Sequence, residues 1–393
     1  MRVRQLLLQS QRGFASAASK RTSLSIGLIP ADGIGREVIP AARRVIEAVI
    51  PNKVRLEFVD LAAGFELFTK TGVALPEETI RVCRDGGVDG ALFGSVSSPS
   101  HKVAGYASPI VALRKKLDLY ANVRPVVSVS PNSNIDMVIV RENTECLVCR
   151  IFSFTSLRAK AMFIKYIKSE SIENNADGTR TAYATRKISE TASRRIATMA
   201  FNIALARGAA RPSNSPLPLV TVVHKSNVLS ITDGLFREVC HDVWNTGKDG
   251  EFKKLARMDE QLVDSMVYRL FREPHKFDVC VAPNLYGDII SDGAAALVGS
   301  LGVVASTNVG DNFCVGEPVH GSAPDIAGKG ISNPIAAVRS AGMLLSYLGF
   351  NEEASKIDIA VNKVLLGDKN LLTPDLGGHG KTDGVTNAII KLL

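Results

Sequence analysis

The sequence predicts an α/β fold with a largely parallel sheet, and three observations support this class. An apolar segment at 24–30 is followed by a turn at 31–35 that contains Gly and Asp, and then by a helix-like segment, which is typical of a β-turn-α unit. The same alternation of strand-like and helix-like segments recurs along the chain, as expected for strands that pair in parallel. The length of 393 residues predicts either two domains of about 150 residues each or one enlarged α/β domain.

The individual elements follow from hydrophobic periodicity and from the positions of Gly and Pro. Short apolar runs predict buried strands, apolar residues at helical spacing predict helices, and a segment rich in Pro, Ser and Ala predicts a loop. The predicted strands cover 24–30, 54–61, 90–94, 135–141, 219–224 and 277–282, the helices 76–84, 188–207 and 233–243, and the loop 208–218. Because ligands gather at the carboxyl ends of strands in doubly wound sheets, we expect the functional site in the loops that follow these strands.

The net charge of +8 does not indicate a nucleic-acid surface, because five of the positive charges lie in the first 21 residues. This leader, 1–21, is rich in Arg and Ser and contains no acidic residue, a composition typical of a mitochondrial transit peptide. A disordered basic tail is the alternative. The most apolar stretch, 294–305, is short and interrupted by Gly. We therefore expect no nucleic-acid or membrane partner, and location in the mitochondrial matrix.

The two common phosphate-binding fingerprints are absent from the sequence. No Gly-x-Gly-x-x-Gly follows the first strand, and the segment 375–382 fails as a P-loop because Asp375 stands where the first Gly is required. The sequence therefore argues against a standard Rossmann fold.

Two carboxylates follow a predicted strand at a spacing that suits a divalent cation. Asp288 and Asp292 are four residues apart, so on a helix they share one face, and paired carboxylates bind hard cations such as Mg²⁺. A capped, solvated helix start is the alternative interpretation. Asp264, the segment 224–227 and three arginines accompany the pair, and arginines bind carboxylates bidentately. Together these residues indicate a site for a polyanionic acid.

Several parts of the chain carry a family resemblance, namely 90–125, 141–145, 224–228, Asp264, 284–292 and 317–334. They resemble the β-decarboxylating dehydrogenases of isocitrate, 3-isopropylmalate and homoisocitrate, and the resemblance runs from Leu24 to the C-terminus except for one segment. It implies the two-domain isopropylmalate/isocitrate dehydrogenase-like fold, with a coenzyme-binding domain of 22–124 and 295–393 and a substrate and dimerisation domain of 125–294. It also implies NAD(P)-linked oxidation of a malate unit at its hydroxyl carbon, followed by loss of the β-carboxylate.

The resemblance also implies roles for individual residues. Lys225 would take the proton of the substrate hydroxyl, and Tyr166 would supply the proton to the enolate carbon. Because the family takes the equivalents of Lys225 and Asp264 from the partner subunit, the active enzyme is expected to be a homo-oligomer, a dimer or a tetramer. Substrate contacts would come from Ser98, Ser108, Arg114, Arg124, Arg141 and Asn227, and the ligands of Mg²⁺ or Mn²⁺ would be Asp264, Asp288 and Asp292.

The coenzyme loop implied by the resemblance is rich in Gly and Pro, as suits a rigid loop around adenosine; a plain surface turn is the alternative. Asp325 in this loop favours NAD over NADP, because a carboxylate accepts hydrogen bonds from ribose hydroxyls but repels a 2′-phosphate. The predicted coenzyme contacts are Glu317, His320, Gly321, Ser322, Ala323, Pro324, Asp325, Ile326 and Asn333.

The loop 95–114 bears on the identity of the substrate. Isocitrate enzymes of the family carry an Asn where this chain has Ile110, and isopropylmalate enzymes carry a Leu pair that Ile110 and Val111 could imitate. The segment 97–111 is most similar to the homoisocitrate-oxidising members, which in fungi act in lysine biosynthesis, so a tricarboxylate-type 2-hydroxy acid is expected. Isocitrate, 3-isopropylmalate and a non-catalytic regulatory subunit stay alternatives, although such subunits typically lose metal or base residues that are kept here.

One segment departs from the family pattern. The family places its catalytic Tyr where this chain has Val148, and the matching run reappears at 166–168, so we interpret 148–165 as an insertion. The insertion holds three Phe, four basic residues and no acid, which is unusual for an exposed loop. We hypothesise that it is a translated, unspliced intron; a genuine loop is the alternative.

Overall fold

The computed structural model describes residues 21–99, 101, 103–128, 134–147, 151–154, 164–167 and 170–393 of the chain. The strands, in chain order, are β1 (Ser23–Ala31), β2 (Arg55–Asp60), β3 (Gly90–Ser95), β4 (Ala121–Val127), β5 (Asp136–Glu142), β6 (Cys146–Leu147), β7 (Ile151–Phe154), β8 (Ile164–Ile167), β9 (Glu170–Asn174), β10 (Arg180–Ala184), β11 (Arg186–Lys187), β12 (Leu219–His224), β13 (Arg257–Leu262), β14 (Val279–Ala282), β15 (Thr307–Val309) and β16 (Cys314–Gly316). Ten of them form one sheet in the order β13-β12-β14-β5-β4-β15-β16-β3-β1-β2.

Most neighbouring strands of the large sheet run parallel, and β4 is the main exception. β1 pairs in parallel with β2 and β3, and β12 pairs in parallel with β13 and β14. β4 runs antiparallel to both β5 and β15, and β15 runs antiparallel to β16. β3 is buried along its whole length, as expected for a parallel strand that is covered on both faces. The prediction of an α/β fold with a largely parallel sheet is confirmed.

Helices cover this sheet. They are α1 (Gly35–Val49), α2 (Phe65–Thr71), α3 (Glu77–Arg84), α4 (Pro109–Lys116), α5 (Glu190–Ala209), α6 (Thr232–Leu255), α7 (Val263–Arg272), α8 (Asn284–Ala296), α9 (Ile335–Tyr347), α10 (Asn351–Leu366) and α11 (Thr382–Ile390). α5 packs on α6 and lies over β5, β12 and β14, whereas α8 lies over β5 and packs on α7. Ile110 and Leu113 of α4 join Phe93 of β3 in a buried cluster, which anchors this helix to the sheet.

Every predicted strand and helix is found, although α6 extends well beyond its predicted end and is interrupted at 247–250. The domain boundaries stay a prediction, because one sheet runs through both proposed domains. Apart from Arg21, the predicted leader lies outside the described residues. No helix in the described part of the chain is long and apolar enough to cross a membrane.

Gly94 provides a test of how closely β3 approaches β1. A Cβ atom at this position would lie 2.3 Å from the carbonyl oxygen of Pro30 and 2.8 Å from Cα of Gly35. We expect Gly94→Ala to lower the free energy of unfolding by about 1 to 3 kcal/mol, because backbone must move to admit the methyl group. Denaturant titration measures the change. Gly234→Ala is the matched control, since a Cβ there meets nothing within 4 Å; equal stability of the two variants would contradict the close approach.

Candidate active site

The candidate active site lies at one edge of the large sheet, where β5, β12 and β14 end. Arg141 is in β5, Lys225 directly follows β12, and α8 begins shortly after β14. Arg124 is in β4, whose antiparallel pairing places Asn122 opposite Arg141. Asn122 and Arg124 are two residues apart on one strand, so their side chains share the face from which Arg141 projects. The fold therefore brings Arg124 and Arg141 side by side.

Both guanidinium groups are buried and form ion pairs with α8. Arg124 Nη1 lies 2.8 Å from Asp292 Oδ1, and its Nη2 lies 3.4 Å from Asp288 Oδ1. Arg141 pairs with the same oxygen of Asp288 and donates to Asn284 Oδ1 at 2.8 Å. The arginine side chains are 8% and 10% exposed, whereas those of Asp288 and Asp292 are 46% and 59% exposed. The site thus has a buried cationic floor beneath two solvent-facing carboxylates.

The crowding of positive charge makes this floor attractive to anions. Burial lowers the pKa of Arg141 to about 10; Asp288 opposes this shift, and the neighbouring Arg114 and Arg124 add to it. Arg114 Nη2 donates to Glu317 Oε2 at 2.8 Å, while its buried Nε has no partner among the described residues. A carboxylate bound here would relieve the repulsion between the arginines and accept the unpaired hydrogen bond.

Buried amides connect Arg124 to Arg114. Asn122 accepts a hydrogen bond from Arg124 Nε at 2.7 Å and donates to Asn308 Oδ1 at 3.0 Å. Asn308 is fully buried in β15 and donates to Glu317 Oε2 at 2.5 Å, and this oxygen also holds Arg114. The orientation of Arg114 is therefore linked to that of Arg124 through a continuous chain of hydrogen bonds.

Lys225 occupies a separate position beside Asp264, the second residue of α7. Lys225 Nζ donates to Asp264 Oδ1 at 2.6 Å, and this hydrogen bond holds the pKa of Asp264 below its usual range. The backbone N–H of Lys225 donates to Asp233 Oδ2 at 2.6 Å, which fixes the loop. Asn227, two residues further along, is exposed. The structure thus holds the predicted base in a loop with a defined conformation.

The predicted metal ligands divide into two groups within one chain. Asp288 and Asp292 lie one turn apart on α8, and Oδ2 of each makes no hydrogen bond with a described side chain. Asp264 pairs with Lys225 instead, and nowhere in the described ranges do three His, Cys, Asp or Glu side chains come close enough to hold a metal ion. The two α8 carboxylates are hard oxygen donors and fit Mg²⁺ or Mn²⁺, but they need a further ligand. Asp264 of a second copy is the further ligand that the family resemblance implies.

The loop 95–114 presents its predicted substrate residues unequally. Ser98 is exposed, and Ser108 is half-buried just before α4. Ile110 is 7% exposed because it packs in the core, whereas Val111 is 42% exposed. Of the apolar pair at 110 and 111, only Val111 is therefore available to contact a substrate.

The predicted coenzyme loop is held against the turn after β1. A Cβ atom on Gly33 would lie 2.0 Å from the carbonyl oxygen of Ser322, so this approach requires glycine. Burial lowers the pKa of His320, and its buried Nε2 has no partner in the described part of the chain. Asn333 is buried, and Asp325 is exposed. An unpaired imidazole nitrogen and a solvent-facing carboxylate fit the polar groups of adenosine.

Tyr166 lies in β8, which pairs antiparallel with β7 in a separate two-stranded sheet. Its partner across the pair is Phe152, so part of the predicted insertion 148–165 contributes a strand. The Tyr166 side chain lies outside the described residues, and its catalytic role stays a prediction.

Sequence reasoning missed the residues that support the predicted ones. Asn122 alternates with Arg124 in an otherwise apolar segment, and a polar residue inside a buried strand is a signal that could have found it. The others have no local signal, because their partners are distant in the sequence. They are Asn308, Ser291, which accepts a hydrogen bond from Arg124, and Asp233, which pairs with Arg186.

Comparison with known proteins shows which family the whole chain resembles. A family model described as isocitrate/isopropylmalate dehydrogenase matches residues 25–389. The chain is 43% identical over 371 residues to an isocitrate/homoisocitrate dehydrogenase of Thermus thermophilus, covering 94% of this chain and 98% of the relative. It is 39% identical over 387 residues to a homoisocitrate dehydrogenase of Methanocaldococcus jannaschii, with the same coverage. Among solved structures, isocitrate dehydrogenase from Methylococcus capsulatus matches with a TM-score of 0.77 at 34% identity, covering 94% of this chain and 99% of that chain.

Glu260 in β13 supports β12, the strand that Lys225 directly follows. It accepts a hydrogen bond from Arg237 Nε at 2.7 Å, pairs with His241, and lies 3.3 Å from His224 Nε2. Burial raises the pKa of Glu260, but these hydrogen bonds outweigh it and lower the pKa to about 2.

We expect Glu260→Gln to lower the free energy of unfolding by about 1 to 3 kcal/mol at neutral pH, because hydrogen bonds to a charged group are lost. The folded-state pKa is depressed, so this stabilisation is present above the unfolded pKa of about 4.3 and is lost as pH falls towards 2. Urea denaturation of both proteins at neutral and acidic pH should show a stability gap that narrows on acidification. A gap independent of pH would contradict the assignment, and Glu78→Gln, on an exposed ion pair, is the control.

Proposed function

The chain belongs to the isocitrate/isopropylmalate dehydrogenase family, and we propose that it is the member that oxidises and decarboxylates homoisocitrate to 2-oxoadipate with NAD and a divalent metal ion. The observation that carries this proposal is the buried floor of Arg124 and Arg141 beneath two exposed carboxylates, with Arg114 beside it. The homoisocitrate dehydrogenase among the relatives and the similarity of 97–111 support this substrate over the other acids of the family. The product suits lysine biosynthesis by the α-aminoadipate route, and the leader 1–21 supports a mitochondrial location.

The arginines bind the substrate. Arg124 and Arg141 face the same space and each offers a planar pair of N–H donors, which suits two neighbouring carboxylates of a malate unit. Arg114 keeps a buried, unpaired Nε for a further carboxylate oxygen. A 2-hydroxy acid that carries several carboxylates therefore meets buried guanidinium donors, one of which has an N–H that no described residue accepts.

The metal would be held by Asp288 and Asp292 with Asp264 of a second copy. When bound, Mg²⁺ or Mn²⁺ supplies a Lewis acid that polarises the substrate hydroxyl and its neighbouring carboxylate. Asp264 is already hydrogen-bonded to Lys225, so a third ligand and the base reach the site together. The third carboxylate and the base are thus one preassembled pair.

Proton movements are carried by Lys225 and Tyr166. Lys225 Nζ takes the hydroxyl proton as the hydroxyl carbon gives up its hydride, and the β-carboxylate then leaves as CO₂. Tyr166 returns a proton to the carbon that lost the carboxylate. NAD, bound along 317–333, supplies the hydride acceptor, and the exposed Asp325 favours it over NADP.

The surface around Lys225 and Asp264 supports the proposal of a homo-oligomer, a dimer or a tetramer. Five large apolar side chains that are more than half exposed lie on the loop after β12, on α7 and on α8, which are the elements that carry the base and the metal ligands. They are Ile231 (85% exposed), Val228 (68%), Tyr268 (66%), Phe271 (52%) and Ile289 (51%). Because soluble surfaces rarely leave such groups together in water, we propose that a second copy covers them and shares both active sites.

The metal ligands are tested by Mn²⁺ binding to the full chain. We expect Asp288→Asn and Asp292→Asn each to weaken Mn²⁺ binding in the presence of homoisocitrate by at least about tenfold, because each removes a charged hard donor. Titration calorimetry or electron paramagnetic resonance measures this without turnover. Asp383→Asn is the control, since Asp383 is an exposed carboxylate paired with Arg44. Unchanged Mn²⁺ affinity in both α8 variants would refute the metal assignment.

The substrate is tested by NADH formation from homoisocitrate, isocitrate and 3-isopropylmalate with Mn²⁺, using the full chain and a form without 148–165. We expect the shortened form to be active, to prefer homoisocitrate and to use NADP poorly, because the deletion restores the family position of Tyr166. Preference for another acid would transfer the proposal to that acid. Activity of the full chain alone would make 148–165 a genuine loop, and inactivity of both forms would favour a regulatory subunit.

A further inference from the structure

Arg186 is the first residue of β11, shortly before α5 begins. It is not among the residues to which the proposed function assigns a role. Its side chain is only 15% exposed. Backbone pairing of β11 with β6 places it opposite Leu147. Removing a guanidinium group from water costs free energy unless other groups compensate it, so the contacts of Arg186 indicate its structural role.

Arg186 contacts two elements of the active site at once. Its Nη1 lies 2.6 Å from Oδ1 of Asp233 and donates to the Tyr286 hydroxyl at 3.0 Å. The guanidinium carbon also lies 4.6 Å from the centre of the Tyr286 ring, in cation–π contact. Arg186 Nε and Nη2 are buried and make no hydrogen bond with the described residues.

Asp233 connects Arg186 to the predicted base. Its side chain is fully buried, and Oδ2 accepts the backbone N–H of Lys225 at 2.6 Å. The Asp233 backbone N–H in turn donates to the Leu229 carbonyl, which closes the loop from 225 to 233. A buried carboxylate needs a cation nearby, and within the described ranges Arg186 is the one that forms an ion pair with it.

Tyr286 connects Arg186 to the helix of the metal ligands. It lies in the first turn of α8, two residues before Asp288. The next residue, Gly287, packs so closely on Arg141 that a Cβ atom would lie 2.7 Å from the Arg141 side chain. A shift of Tyr286 would therefore move Asp288 relative to the cationic floor.

We propose that Arg186 is a positioning residue that fixes the Lys225 loop relative to the start of α8. The inference rests on the proposed function, in which Lys225 is the base and Asp288 a metal ligand. In the proposed dimer these two residues of one chain serve different active sites, so Arg186 links the base of one site to the metal ligands of the other.

The test compares Arg186→Met with Arg186→Lys in the full chain and in the form without 148–165. Lysine keeps the charge beside Asp233 but cannot lie flat on the Tyr286 ring, so it should restore part of what methionine loses. In the Met variant we expect kcat to fall about 100-fold through misplacement of the base. KM for NAD should stay within about twofold, because the coenzyme loop is untouched. Arg194→Met is the matched control, since Arg194 forms ion pairs with Glu190 and Asp242 on α5 and α6.

Hydrogen exchange at the Lys225 amide gives a second measurement that does not need turnover. We expect exchange about tenfold faster in Arg186→Met than in the unmodified chain, and no change in Arg194→Met. Unchanged exchange, or a kcat retained in both Arg186 variants, would overturn the proposal. If neither the full chain nor the form without 148–165 forms NADH from any of the three acids, the proposed function fails while exchange still decides the role of Arg186. If the Met variant does not fold, the Lys variant decides.

Discussion

Two guanidinium groups buried side by side, Arg124 and Arg141, set the conditions for the rest of the site. Buried like charges repel each other, so the arrangement persists only where carboxylates and amides compensate it. α8 supplies the carboxylates, and it can do so because it begins at the end of β14, next to β5 in the sheet. The antiparallel β4 is equally necessary, because it places Arg124 beside Arg141 on one face. The paired arginines therefore require both this strand order and the carboxylates that it brings next to them.

Much of this could be predicted from the sequence, because parallel strands buried on both faces are continuous apolar runs. β3 and β12 carry that pattern, and both were predicted with nearly the observed ends. β13 could not be found this way, since Arg257 to Leu262 includes four polar residues and becomes a strand only by pairing with β12. β15 has three residues, too few for any periodicity.

The identity of the proposed catalytic and metal-binding residues could be predicted from the sequence, whereas their positions relative to one another could not. Residue types and a family resemblance were enough to choose Lys225, Asp264, Asp288 and Asp292, and all but Asp264 lie in segments that follow a predicted strand. No motif marks Asp233, whose partner Arg186 is 47 residues earlier in the chain and meets it only in the folded structure. Nor could spacing reveal that one chain keeps Asp264 with Lys225 and apart from the α8 carboxylates. Such relations depend on tertiary packing and on assembly.

Asn308 has a consequence for how the sheet assembles. It lies in the three-residue β15, and its amide meets Asn122, Asn143 and Glu317 while fully buried. A slip of β15 by one residue along β4 would turn Asn308 to the opposite face and remove one hydrogen-bond partner from each of Asn122, Asn143 and Glu317. The neighbouring Thr307 and Val309 offer no amide to replace it. β15 is too short to fix its own register, and the Asn308 side chain fixes it instead. Folding intermediates in which β15 is mispaired between β4 and β16 are therefore disfavoured.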